Sequence, residues 1–233
     1  MGEGFGVADK DIMPYIDMTN IACGFHAGDP HIMDKTVALA AEHNVMIGAH
    51  PGYPDLAGFG RRELNFSPDE IINLVLYQVG ALRAICARHN TRLSYIKPHG
   101  ALYNAIMLDV NVYKAILKAI SIFDAKTPLM IMFMPNHRQY SDIAQSVGVK
   151  LLFEAFCDRM YTDSGHLQSR EEVGAIHNSL ELICEQAQNI IFNQKVKTNS
   201  GKSLSIQADT ICIHGDAELA LSSVKNIRNL LTA

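Results

Sequence analysis

The sequence predicts an α/β fold in which parallel strands alternate with helices and close into a (β/α) barrel. Three observations carry that prediction. Six short apolar runs are each followed by a helix, or by a loop and a helix, the alternation that builds a parallel sheet with right-handed crossovers. Polar residues recur just beyond the carboxyl end of every run: His26, His50, Lys97 and His99, Asn136 and His137, Glu154 and Asp158, His214 and Asp216. A closed barrel gathers those ends on one face, whereas a flat doubly wound sheet spreads them along an edge. No Gly/Ser-rich linker or break in composition interrupts the 233 residues, so a single domain over residues 1–233 is expected.

Residues 1–6 form a glycine-rich opening, and residues 9–15 a short helix. The first strand, 19–22, delivers Cys23 and His26. Asp29-Pro30 reads as an N-cap with proline at the first helical position, opening a helix to about Glu42. Strand 45–49 delivers His50, and residues 51–62 then make a polar, glycine-rich loop longer than an ordinary connection. Ser67-Pro68-Asp69-Glu70 is a capping box, after which Ile71, Leu74, Val75, Val79, Leu82 and Ile85 keep helical spacing to about Arg88. Strand 93–96 feeds a loop reading Lys97-Pro-His-Gly-Ala-Leu-Tyr-Asn104, with a helix over 112–122 beyond it. The unbroken apolar run 129–134 is the pattern of a strand covered on both faces. A helix over 140–147, a strand over 151–153, a capped turn at Ser169 and Glu172 and a helix over 178–192 follow. Residues 195–206 alternate around Asn199-Ser200-Gly201 as a β-hairpin insertion set against the barrel. The last strand is 211–213 and the last helix 218–231. A barrel of βα units should open with a strand, yet residues 1–6 read as a loop; the barrel is then open at that edge, or the full protein starts further upstream.

The formal charge is −4 with Lys and Arg scattered rather than clustered, so neither nucleic acid nor an anionic membrane is an expected partner. There is no apolar run of about 18 residues and no secretory signal pattern, which points to a cytoplasmic protein. Five cysteines, an odd number without a C-x-x-C pair, suit a reducing compartment better than a disulfide framework or structural zinc.

With those loops assembled, the sequence resembles the LamB/YcsF family. The resemblance is carried by Asn20-Ile-Ala-Cys-Gly-Phe-His-Ala-Gly-Asp-Pro30, Gly48-Ala-His-Pro-Gly-Tyr-Pro-Asp55, Gly58-Phe-Gly-Arg-Arg62, Tyr77-Gln-Val-Gly-Ala-Leu82 and Lys97-Pro-His-Gly-Ala-Leu-Tyr-Asn104. Glu154 to Arg159 with Tyr161 and Arg170, and Cys212-Ile-His-Gly-Asp216, extend it over nearly the whole chain. It implies an irregular (β/α) barrel of the glycoside hydrolase and deacetylase type. It also implies the role of the A subunit of a 5-oxoprolinase, which opens 5-oxoproline to L-glutamate with ATP and with partner subunits B and C. Members of the family begin with a strand reading roughly Asp-Leu-Asn-x-Asp ahead of the segment that stands here at residues 2–6, so the first strand is missing from this sequence.

Hydrolysis of an unactivated amide needs a positioned water, a base, donors for the oxyanion and an acid for the leaving nitrogen. Under the resemblance, His26, His50 and His99 line the reaction centre, with Asp29 and Asp158 as orienting or basic carboxylates. Lys97 would face the developing oxyanion or a phosphorylated lactam. Arg61, Arg62 or Arg159 would clamp the substrate carboxylate in the bidentate manner of a guanidinium, with Asn104, His214 and Asp216 as further substrate contacts. A divalent ion would draw on His26 and His50, although no pair has the i, i+4 spacing of a helical site. Cys23, three residues from His26, reads as a buried strand-end cysteine before it reads as a nucleophile. No G-x-x-x-x-G-K-[ST] loop is present, since Gly201-Lys202-Ser203 has Val196 where the first glycine should stand. ATP is therefore expected on other loops or on the partner subunits. The alternatives are a metal-dependent carbohydrate deacetylase-like hydrolase and a non-catalytic partner subunit; a homo-oligomer is compatible with each.

Overall fold

The computed structural model of the chain describes residues 1–4, 9–215 and 219–232. Part of the glycine-rich opening, Asp216 and the start of the last expected helix lie outside the described residues. Six strands, β1 (Met18–Ala22), β2 (Met46–His50), β3 (Leu93–Ile96), β4 (Leu129–Met132), β5 (Leu151–Phe156) and β8 (Thr210–Cys212), form one sheet in the order β1-β2-β3-β4-β5-β8. The registered pairs are parallel. The remaining two, β6 (Lys195–Lys197) and β7 (Ser203–Ser205), pair antiparallel as a hairpin. The helices are α1 (Asp9–Ile12), α2 (Pro30–Glu42), α3 (Pro68–Arg88), α4 (Gly100–Leu108), α5 (Val110–Asp124), α6 (His137–Ser146), α7 (Leu180–Asn193) and α8 (Ala220–Thr232).

Local chemistry explains most of these boundaries. The Asp29 carboxylate accepts from the backbone N–H groups of His31 and Ile32, and Pro30 opens α2. Ser67 and Glu70 cap α3 reciprocally, satisfying donors the first turn leaves bare. Both α2 and α3 stop at a His-Asn pair, whose Asn44 and Asn90 adopt φ of 56° and 52°, a left-handed turn that asparagine tolerates. The stretch expected as a loop through Asn104 is instead helical from Gly100. Its residues 101–103 and Ile106 are buried, and so apolar a segment shows no helical periodicity to read.

The chain packs as two compact units, residues 1–130 with 140–151 and residues 131–139 with 152–233. The division falls within β4 and at the start of β5, in an unbroken apolar stretch rather than at a linker. In the first unit, Ile71, Val75, Val79, Leu82 and Cys86 form the buried face of α3, which packs on α5, and the Arg83 guanidinium lies 4.3 Å from the Phe123 ring centroid. Among the described residues α3 is also the one helix with the length and apolar composition of a bilayer-crossing segment, and 33% of that stretch is buried in the chain. Met1 lies alongside β1, its ammonium donating to the Asn20 carbonyl and its own carbonyl accepting from Ala22. In the second unit α7 packs on α8 and on β6, and the buried Tyr161 hydroxyl accepts from the Phe156 N–H at 2.8 Å.

Candidate active site

Strand register builds the centre of the first unit. Ala22 pairs with His50 across β1 and β2, and Ala49 pairs with Ile96 across β2 and β3. The ladder continues past the strand ends, with Lys97 N–H donating to Ala49 and His99 N–H to Pro51. His50 therefore emerges beside Lys97 and His99. His26, four residues beyond β1, completes the group, its ring stacked on His99 with centroids 3.7 Å apart and planes 7° from parallel. His50 stands edge-on to His99 at 4.8 Å. Three imidazoles distant in sequence thus share one place.

The loop 51–62 closes over them with its backbone. Gly60, at φ +64°, lies so close that a Cβ there would come within 2.7 Å of the His26 Cβ and 2.9 Å of the His99 Cδ2. The Phe59 carbonyl accepts from His99 Nε2 at 2.7 Å, and the Lys97 carbonyl accepts from His50 Nδ1 at 2.6 Å. His26 is 1% exposed, and neither of its ring nitrogens has a hydrogen-bond partner among the described residues. Burial first, then the neighbouring His99 and the N-terminal and Arg61 charges, push His26 down to about 2. Burial takes His99 down to about 4 and His50 well below the usual imidazole range. Each ring taken singly is neutral at physiological pH.

The other expected residues fall in different places. Lys97 is buried, its ammonium 5.7 Å from the Tyr103 ring centroid. Arg61 lies over the Phe59 ring at 4.8 Å. Arg62 binds the buried carboxylate of Asp55 through both Nε and a terminal nitrogen, so its fork closes the loop on itself rather than facing outward as a free clamp. Asp29 is exposed and committed to the α2 cap, outside the histidine group. Asn104 is exposed on α4. Burial pushes the Cys23 thiol up to about 12, and its Sγ donates to the Ile21 carbonyl, which removes the thiolate a nucleophile would need.

In the second unit, β5 and β8 run in register with Phe156 opposite Cys212, and two residues on stand Asp158 and His214. Asp158 Oδ2 accepts from His214 Nδ1 at 2.7 Å and from its backbone N–H at 3.1 Å. Burial alone would raise the Asp158 carboxyl, but the charge and hydrogen bonds of His214 outweigh it and hold the group below the usual carboxylate range. His214 rests on the Phe156 ring, and Asp158 Oδ1 is buried without a hydrogen-bond partner among the described residues. Arg159 is buried and donates to the Ala175 and Gln168 carbonyls, a role in holding residues 159–175 that leaves less of its fork for substrate than expected.

A divalent ion does not fit the histidines as they stand. Stacked rings cannot converge their lone pairs on one point, both His50 nitrogens are engaged, and no set of three metal-ligating side chains occurs among the described residues.

A family model described as "LamB/YcsF family" matches residues 1–233. The chain belongs to that family. It is 50% identical over 235 aligned residues to the 5-oxoprolinase A subunit of Vibrio cholerae, covering 99% of this chain and 95% of that one. It is 47% identical to the second 5-oxoprolinase A subunit of Pseudomonas putida, with 99% and 91% covered. Among solved structures, the lactam utilization protein of Thermus thermophilus superposes with a TM-score of 0.90 at 37% identity over 100% of this chain and 93% of that one. The α/β fold expected from the strand pattern is that of this LamB/YcsF relative.

Two residues of the LamB/YcsF chain matter more than their sequence setting suggested. Gln78, fully buried on α3, accepts from the Gly52 N–H and donates to the Gly52 carbonyl, both at 2.9 Å, and so pins the loop two residues after His50. The signal for it was a lone amide on an otherwise apolar helix face. Asp55 anchors the far end by accepting from Gly58 and Arg62. Lys202, in the Gly-Lys-Ser segment, reaches Asp163 at 2.7 Å across the β6–β7 turn, so the segment serves the hairpin.

Proposed function

We propose that this chain is the A subunit of a 5-oxoprolinase, opening the five-membered lactam of 5-oxo-L-proline to L-glutamate in step with ATP hydrolysis and together with subunits B and C in the cytoplasm. The observation that carries the reading is the 50% identity to proteins named as that subunit, sustained over 99% of the chain. The chemistry of the buried residues supports it. A lactam is a neutral amide, and its hydrolysis develops charge on oxygen and then on nitrogen. Neutral imidazoles in a water-poor setting, next to a buried ammonium at Lys97, provide proton-transfer and oxyanion-stabilising groups with little solvent reorganisation. Nucleotide is assigned to loops without a phosphate-binding motif or to the partner subunits.

The test is coupled turnover with purified A, B and C subunits, measuring ATP loss and glutamate gain with each omitted in turn. Loss of glutamate formation when this chain alone is left out supports the reading; undiminished formation without it ends the reading. In the complete mixture His50→Ala and Lys97→Ala are each expected to lower glutamate formation by about a hundredfold or more, the scale of a lost acid–base or electrostatic group, while circular dichroism stays unchanged.

A further inference from the structure

His50 and His99 are joined to each other and to two carbonyl groups in single file. His50 Nδ1 lies 2.6 Å from the Lys97 carbonyl oxygen, His50 Nε2 lies 3.0 Å from His99 Nδ1, and His99 Nε2 lies 2.7 Å from the Phe59 carbonyl oxygen. A carbonyl oxygen only accepts, so both outer nitrogens carry hydrogen and donate it. Two neutral imidazoles bring two hydrogens in all. The inner contact is then left with none, and two lone pairs face each other at hydrogen-bonding distance. Moving a hydrogen inward transfers the deficit to a carbonyl. Three hydrogen bonds need three hydrogens, and the third is an added proton.

We propose that His50 and His99 form a single acid–base group that takes up one proton, shared between His50 Nε2 and His99 Nδ1, and no second. The groups that bear on the pair are the stacked His26, the Lys97 ammonium from the end of β3, Arg61 from the covering loop, the N-terminal ammonium, and the Cys23 thiol beside the His50 backbone. The cations among them, Lys97, Arg61 and the N-terminus, oppose protonation of the pair, and a second proton would add its own repulsion to theirs. The facing lone pairs act the other way and favour the first.

Nitrogen-15 NMR of the histidine rings in the full chain, followed over the pH range in which it stays folded, tests the proposal. The expected result is hydrogen on His50 Nδ1 and His99 Nε2 throughout, with the two inner nitrogens moving together on one curve that ends at one proton for both rings. Separate curves, uptake of two protons, hydrogen on an inner nitrogen in the neutral form, or no uptake before unfolding would each overturn it. In His99→Gln the amide can donate to His50 Nε2, so the His50 curve should move to lower pH by about one unit; an unmoved or raised curve also overturns the proposal. Should that variant not fold, the curves of the unaltered chain decide. Absent glutamate formation with the ring pattern intact counts against the proposed reaction and leaves the shared proton standing.

Discussion

Among single residues, burial sets the chemistry. His26 is held near 2 in the folded chain, far below the ordinary imidazole value of 6.5, so the unfolded chain binds that proton more readily and stability falls as pH drops below 6.5. Between pH 7.5 and 5, denaturant unfolding of the unaltered chain should lose about 2 kcal/mol more than that of His26→Gln; equal losses would refute the assignment. Asp55 has the opposite sign. The Arg62 hydrogen bond first, then Gly58, draws its carboxyl down to about 2, so its contribution is complete above the ordinary aspartate value of 3.8 and is lost between there and about 2 as pH falls. Acid titration of Arg62→Gln should start loosening the loop at a higher pH than in the unaltered chain, read from protease cleavage within residues 54–62. The histidine group was legible in the sequence because all three follow strands. The engagements of Asp55, Arg62 and Arg159 were not, because they depend on which loop folds back onto which. Asp29 shows the limit plainly: three residues from His26, its carboxylate belongs to a helix end.

Helices and strands were legible wherever local chemistry speaks, as in the α3 capping box or the wholly buried β4. α4 was not, since its residues are nearly all apolar. Helices α3 and α7 also share a device invisible to periodicity. On α3, Gln78 holds Gly52; on α7, buried Gln186 donates to the Phe156 and Arg159 carbonyls just past β5. Each amide replaces water for a segment leaving a strand. Gln78→Leu strands both Gly52 backbone groups and should cost about 2–4 kcal/mol in denaturant unfolding; a change below about 0.5 kcal/mol, the scale of a surface substitution, would show the clamp to be dispensable. Between strands the constraint is steric. A Cβ at Gly48 would stand 2.2 Å from the Tyr95 ring, its partner across β2 and β3, so Gly48→Ala should express poorly or melt well below the unaltered chain.

For the chain as a whole, the boundary between the two packed units lies inside β4, where composition gives no sign of it, and sequence reading accordingly saw one domain. The single domain expected from the sequence predicts one cooperative calorimetric transition with equal calorimetric and van't Hoff enthalpies; two resolved transitions would show the units melting independently. The covering loop has a further consequence. Because Gly60, the Phe59 carbonyl and the Phe59 ring are what the covering loop sets against the histidines, the outward residue Leu56, 67% exposed, is free to be replaced. A dye attached at that position would report on the covering loop while leaving the imidazoles untouched, so that any movement of the cover can be followed optically.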